Sequence, residues 1–161
     1  GNVRMWDITS IEAEENQVHQ PFDISFRLED TLPDLFVRRI WNNTEKYFLE
    51  SQNEKDLAIT FKWIRTHGKD KEADESSQFL KEAGIKIIYH PTIQLANGRM
   101  SLDVLDLPTT EIETILTKMG AAFDLAYKRF EDLKNSEAQL KEAQIETALE
   151  KVRSVALGLK K

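Results

Sequence analysis

From Thr110 to the last residue the chain contains no proline, and only Gly120 and Gly158 interrupt a run of good helix formers. Proline breaks helices outright, whereas an internal glycine costs only about 1 kcal/mol, so one continuous helix is the expected outcome. Roughly fifty residues at about 1.5 Å of rise would make a rod near 75 Å long. That exceeds the diameter of a compact domain built from the rest of the chain, and an apolar stripe along such a rod needs cover from elsewhere. The stripe is regular. Ile112, Leu116, Met119, Phe123, Ala126, Phe130 and Leu133 step by alternating fours and threes, the heptad rhythm of helices that wind around one another. It resumes with Ala148, Val152, Val155 and Leu159. Glu137, Leu140 and Gln144 fill the seam between if the spacing lengthens to an eleven-residue type, which relaxes the left-handed supercoil.

Large residues from Ile112 to about Phe130 suit a domain core, whereas Ser136 to Lys161 suit self-association, with Leu133, Leu140, Ala148, Val152 and Leu159 as the dimerising positions. A bundle within one chain would need partner helices that the sequence does not supply. Gln144 in the seam weakens packing but fixes register, and it lets two registers compete. The pattern runs on to the final residue, so a larger protein continuing into an output region is expected.

The upstream part reads as mixed. Val3–Thr9 and Phe22–Leu28 alternate apolar and polar residues with the two-residue period of half-buried strands, and the acidic stretch at 12–16 between them reads as a loop. Thr31-Leu32-Pro33-Asp34 reads as a helix start, with Leu32, Leu35, Phe36, Ile40 and Trp41 on one face and Asn42-Asn43 at its end. Lys46–Leu49 is a short strand. Ser51-Gln52-Asn53-Glu54 matches a capping box, followed by Leu57, Phe61 and Ile64 at helical spacing as far as Gly68. Lys69–Ser77 is polar enough to be a loop or the exposed first turns of a helix that ends at Gly84. Ile85–His90 is a strand. Thr92–Ala96 and Arg99–Val104 form a hairpin about Asn97-Gly98, the preferred two-residue turn. Thr110-Glu111-Ile112-Glu113 is a second capping box, opening the long helix.

Chemistry is harder to find. A net charge of −6 with dispersed basic residues argues against nucleic acid, which needs a basic face to neutralise phosphates. No apolar stretch is long enough to span a bilayer and no signal peptide is read at the start, so no membrane insertion and a cytoplasmic location are expected. Without cysteine there is no disulfide framework, thiolate zinc site or cysteine nucleophile. His19, His67 and His90 lie in separate segments without a second ligand at metal spacing, and no metal is expected. Glycine-rich phosphate loops and nucleophile elbows are absent. Paired carboxylates such as Glu14-Glu15 fit a solvated surface. Aromatic residues remain: they form the core of the mixed domain, and Trp6, Trp41 and Tyr89 are the ones expected to reach a ligand cavity if one exists.

The tail from Phe130 to Ser154 carries a further pattern. Its centre, Glu142-Ala143-Gln144-Ile145-Glu146-Thr147-Ala148-Leu149-Glu150-Lys151-Val152-Arg153, resembles the segment that links GAF-like domains to histidine kinase regions in large Bacteroidetes sensor proteins. Met5-Trp6-Asp7-Ile8 and Tyr127-Lys128-Arg129-Phe130 are similar to other phrases of that family. The resemblance implies an α+β, GAF-like antiparallel sheet flanked by helices over residues 1–130, and a dimeric coiled-coil signalling helix over 131–161. It implies a sensory domain of a two-component protein that acts as a homodimer. The absence of cysteine excludes a covalently attached bilin, no cyclic-nucleotide motif is seen, and the ligand is unknown. The rival readings are a dimerising scaffold that binds nothing small, and an enzyme, which would require buried titratable groups clustered around His90.

Overall fold

In the computed structural model, the described residues are 2–7 and 22–158, with the side chains of Trp6, Asp7 and Phe22 left aside. The end of the first expected strand at Ile8-Thr9, the loop at 12–16, His19 and Leu159 fall outside them. In chain order the elements are β1 (Asn2–Asp7), β2 (Phe22–Arg27), a 3-10 turn (Leu28–Asp30), α1 (Phe36–Asn42) and β3 (Tyr47–Asn53). Then follow α2 (Glu54–Arg65), α3 (Asp70–Glu82), β4 (Ile87–Leu95), β5 (Gly98–Ser101) and α4 (Thr110–Gly158). The architecture is mixed α+β with antiparallel pairing, but the strands divide into two sheets, β1-β2 and β3-β4-β5. Two compact units result, Gly1–Thr117 and Lys118–Lys161, and the division falls inside α4, upstream of the expected boundary at 130/131.

In the first unit the alternation read from the sequence sets which side chains turn inward. Val3 pairs with Phe26 and Met5 with Ile24. Val3, Ile24 and Phe26 are buried with Ile64 of α2 and Ala73 of α3, and Met5, Val37, Trp41, Phe61 and Trp63 pack against them. The three-stranded sheet is covered on both faces. On one, Ile93 and Leu95 of β4 enclose Leu116 from the start of α4, with Tyr47, Met100 and Leu102 around them. On the other, Phe48, Gln52, Ile88, His90 and Thr92 are buried. There the Gln52 amide donates to Thr60 Oγ1 of α2 at 2.6 Å.

Ile85–His90 and Thr92–Ala96, read as separate strands, join into β4 through Pro91, which lies in the central strand of its sheet. Proline has no N–H for the ladder. The pairing toward β5 breaks opposite it: Thr92 pairs with Ser101, and the register is picked up again only at the Tyr89–Val104 bridge. Between the two, the Pro91 carbonyl still accepts from Leu102 N at 3.1 Å. The hairpin exists where expected, but its two loop residues are Ala96-Asn97. Leu95 pairs directly with Gly98, which opens β5.

Several helix ends shift. The capping box of α2 is Asn53 with Asp56, two residues beyond the expected one. The Asn53 side chain accepts from the amides of Lys55 at 2.9 Å and Asp56 at 3.1 Å, and Asp56 accepts from Asn53 N at 3.3 Å. Ser51 and Gln52 are held in β3 instead, because Gln52 has a buried partner there. α4 begins with Thr109 as its cap, one residue early, the hydroxyl accepting from Ile112 N at 3.5 Å. α1 starts at Phe36 rather than in Thr31–Asp34. The Thr31 hydroxyl is spent on Leu28 O at 2.6 Å, a local bond that competes with helix capping. Leu32 accordingly points to solvent, whereas Leu35 and Ile40 are buried. The polar stretch is helical from Asp70, with Lys69 as the residue before its first turn, and buried Ala73 anchors it. Its expected glycine end is a Schellman cap: Gly84 at φ 68°, with Ile85 N donating to Leu80 O at 2.9 Å and Gly84 N to Lys81 O at 3.2 Å.

Candidate functional site

α4 is one helix of 49 residues, yet its apolar stripe has two fates. Leu116 is fully buried within the first unit. In the second unit the same heptad pattern is open to solvent: Phe130, Leu133, Leu140 and Val152 keep 60–66% of their surface exposed. Met119, Phe123 and Phe130, expected to help form the domain core, are exposed in the single chain, so the core ends much nearer the start of the helix than periodicity implied. Ala148 is also exposed. The sequence reading missed Ile145 and Leu149, which are also exposed and widen the stripe beside Ala148 and Val152. Their four-residue spacing was the available signal.

The residues expected around a ligand cavity occupy different settings. Trp6 lies on β1. Trp41 of α1 is half-buried against the first core, with the Arg99 guanidinium 5.6 Å from its ring centroid. Arg99 also ties α1 down by donating to the carbonyls of Trp41 at 3.4 Å and Asn43 at 3.1 Å. Tyr89 sits on β4, its backbone N–H and carbonyl both bonded to Val104 at 2.9 Å.

His90 is the polar feature that sequence reasoning undervalued. Its side chain is 3% exposed, and Nδ1 lies 2.7 Å from Asp103 Oδ1. The Phe36 ring stacks against it with centroids 4.1 Å apart. Glu50 is its cross-strand partner on β3, and Arg39 of α1 bonds Glu50 at 3.2 Å. The Asp103 carboxylate accepts from a protonated Nδ1 and so fixes the orientation of the ring. Nε2 is buried without a partner. Only His90 of this group is buried, and an orienting carboxylate plus imidazole makes a reacting pair only with a third group at Nε2.

Two clefts among the described residues of the first unit are large enough for a small molecule. One, of about 350 Å³, lies along β1-β2 beside Val3, Arg4 and Phe26. The other, of about 500 Å³, lies between α2 and α3, walled by Leu57, Phe61, Leu80 and Ile85. Charged groups at its margin are Glu54, Arg65, Lys81 and Lys86. Arg65 is held by Asp74, at 2.6 and 3.1 Å. Neither cleft is lined by Trp41, Tyr89 or His90. The second cleft was not anticipated because it depends on how α3, through Ser77, Leu80 and Lys81, lies beside α2, which spacing along the chain does not give.

Among the described residues no group of three His, Cys, Asp or Glu could hold a metal ion, and no helix is long and apolar enough to cross a membrane. No family model matches the chain, and neither the curated proteins nor the solved structures hold a match to it.

Proposed function

We propose that the chain is a non-catalytic sensory or regulatory module of a two-component signalling protein, in which two copies pair through the distal part of α4. The state of the first unit would then pass along that helix to a histidine kinase-type output. The single observation that carries this reading is the open apolar stripe from Phe123 to Val155 on an uninterrupted helix. Exposed stripes of this length are usually covered by a partner, since monomers seldom expose contiguous apolar patches beyond a few hundred Å². The heptad spacing makes a second copy of the same helix the natural cover, and the linker-like phrase from Glu142 to Arg153 supports a signalling role. A signal moves the helix only if it binds two packings of the domain with different affinity.

Sedimentation of the full chain against one ending after Phe130 tests the pairing. The expected result at tens of micromolar is a dimer for the full chain and a monomer for the shorter one. Two monomers would overturn the relay. Two dimers would move the interface into the domain.

A further inference from the structure

We propose that the cleft between α2 and α3 is a binding site for a small apolar anion, a medium-chain or aryl carboxylate. As the ligand class for the sensory reading this inference rests on that reading, although the cleft is a feature of the first unit alone.

The cleft's size, about 500 Å³, lies within the range of small-molecule sites, about 300–1,000 Å³. Its wall is the side of α2 and α3 turned from the β1-β2 sheet, with Phe61 shared between cleft and core. Ile64 and Ala73 face the β1-β2 sheet, while Leu57, Phe61, Leu80 and Ile85 line the opening. Leu57 is buried, and Phe61, Leu80 and Ile85 are half-buried, so an apolar body entering here is removed from water at little cost in rearrangement. Gly84, the Schellman cap of α3, stands at the cleft's end, with nothing within 4 Å of the place where a Cβ would be.

The margin selects charge. Lys81 in the last turn of α3 and Lys86 just before β4 have no ion-pair partner among the described residues, in a chain of net charge −6. Arg65 is already matched by Asp74. Glu54 is the one carboxylate at the margin, and it places the anionic end of a ligand toward the two lysines instead. A carboxylate there gains charge-assisted hydrogen bonds from ammonium groups that otherwise face only water. A neutral molecule of the same shape gains the apolar contact alone.

The probes are octanoate and 1-octanol, titrated into the full chain and followed by calorimetry and backbone-amide NMR shifts. Octanoate is expected to saturate one site per chain and to bind about tenfold tighter than octanol. The Lys81→Ala/Lys86→Ala double variant should bring the two within about twofold, because only the charge contribution is lost. Ala58→Trp, at an exposed cleft position, should block both ligands while the amide spectrum shows an intact fold. Equal affinity for acid and alcohol, binding untouched by Ala58→Trp, or no saturation by about 1 mM would each overturn the site. A Leu140→Asp chain in the same titration separates the two proposals. If it binds octanoate as a monomer, the site stands whatever becomes of the dimer, and a wild-type dimer that binds nothing sinks the site alone.

Discussion

Leu116 and Leu133 lie on the same stripe of the same helix, and they have opposite surroundings. Leu116 is enclosed by Ile93 and Leu95 of the sheet with none of its surface exposed, whereas Leu133 keeps 60% of its surface in water. The heptad pattern does not change between them. Periodicity therefore states which face of a helix wants cover, but not what covers it. In the first unit three strands supply the cover; in the second the monomer leaves it unmet. A reading from apolar spacing alone extended the domain core to about Phe130 for this reason.

The sharpest way to break that contrast is to remove the same side chain at both places. Leu116→Ala deletes a fully buried leucine and should cost about 2–5 kcal/mol of unfolding free energy, the range for core leucines that leave cavities. Leu133→Ala, measured by urea unfolding at sub-micromolar concentration, should stay within about 0.5 kcal/mol of wild type. Equal losses would mean that Leu133 has a partner within its own chain, and the contrast would vanish.

Next in size is a charge placed in the open stripe. Leu140→Asp should leave the folded first unit untouched, because Leu140 is exposed in the single chain. If two copies pair there, a carboxylate forced into the seam costs roughly 3 kcal/mol, and the dissociation constant rises on the order of a hundredfold. Sedimentation equilibrium reads that change directly. An unchanged mass would remove Leu140 from any interface and point to the wider edge formed by Ile145 and Leu149.

Helix caps sharpen the comparison between what pattern shows and what packing decides. Most strand segments, the glycine end of α3 and the long helix were legible, because alternation, glycine and the lack of proline act locally, but the division of the strands into two sheets was not. The two capping boxes were legible only as neighbourhoods. Near α2, Ser51-Gln52-Asn53-Glu54 and Asn53-Glu54-Lys55-Asp56 are both acceptable boxes. The buried bond from Gln52 to Thr60, a contact between residues whose pairing no local rule announces, keeps β3 running and selects the second. Asn53→Ala should therefore cost about 1 kcal/mol, while Ser51→Ala stays within about 0.5 kcal/mol. The candidate site was less legible still. His90 was read only as lacking a second ligand at metal spacing; its burial and its bond to Asp103, which joins strand to loop across the interrupted ladder, follow from pairing that no local pattern announces. The α2–α3 cleft depends on the packing of two helices against each other, which local spacing does not state.

The smallest expected effect concerns pH and the cover over Leu116. Tyr47 packs beside that core, and its hydroxyl is pushed above its ordinary value of 10.0, first by burial and then by the nearby Glu113 carboxylate. Both causes penalise the phenolate in the folded state. A group whose folded pKa is raised binds its proton more tightly folded than unfolded, so its stabilising contribution is complete below the unfolded value, about 10. That contribution is lost as pH rises from there through the folded value. Wild-type melting temperature should thus fall on the alkaline side of about pH 10 more steeply than that of Tyr47→Phe, which has no proton to lose. Glu113→Gln should give an intermediate slope, since burial still acts and the charge does not. Superimposable alkaline profiles for all three would mean that Tyr47 is as well hydrated folded as unfolded, and that the start of α4 covers this face of the sheet less tightly than the burial of Leu116 implies.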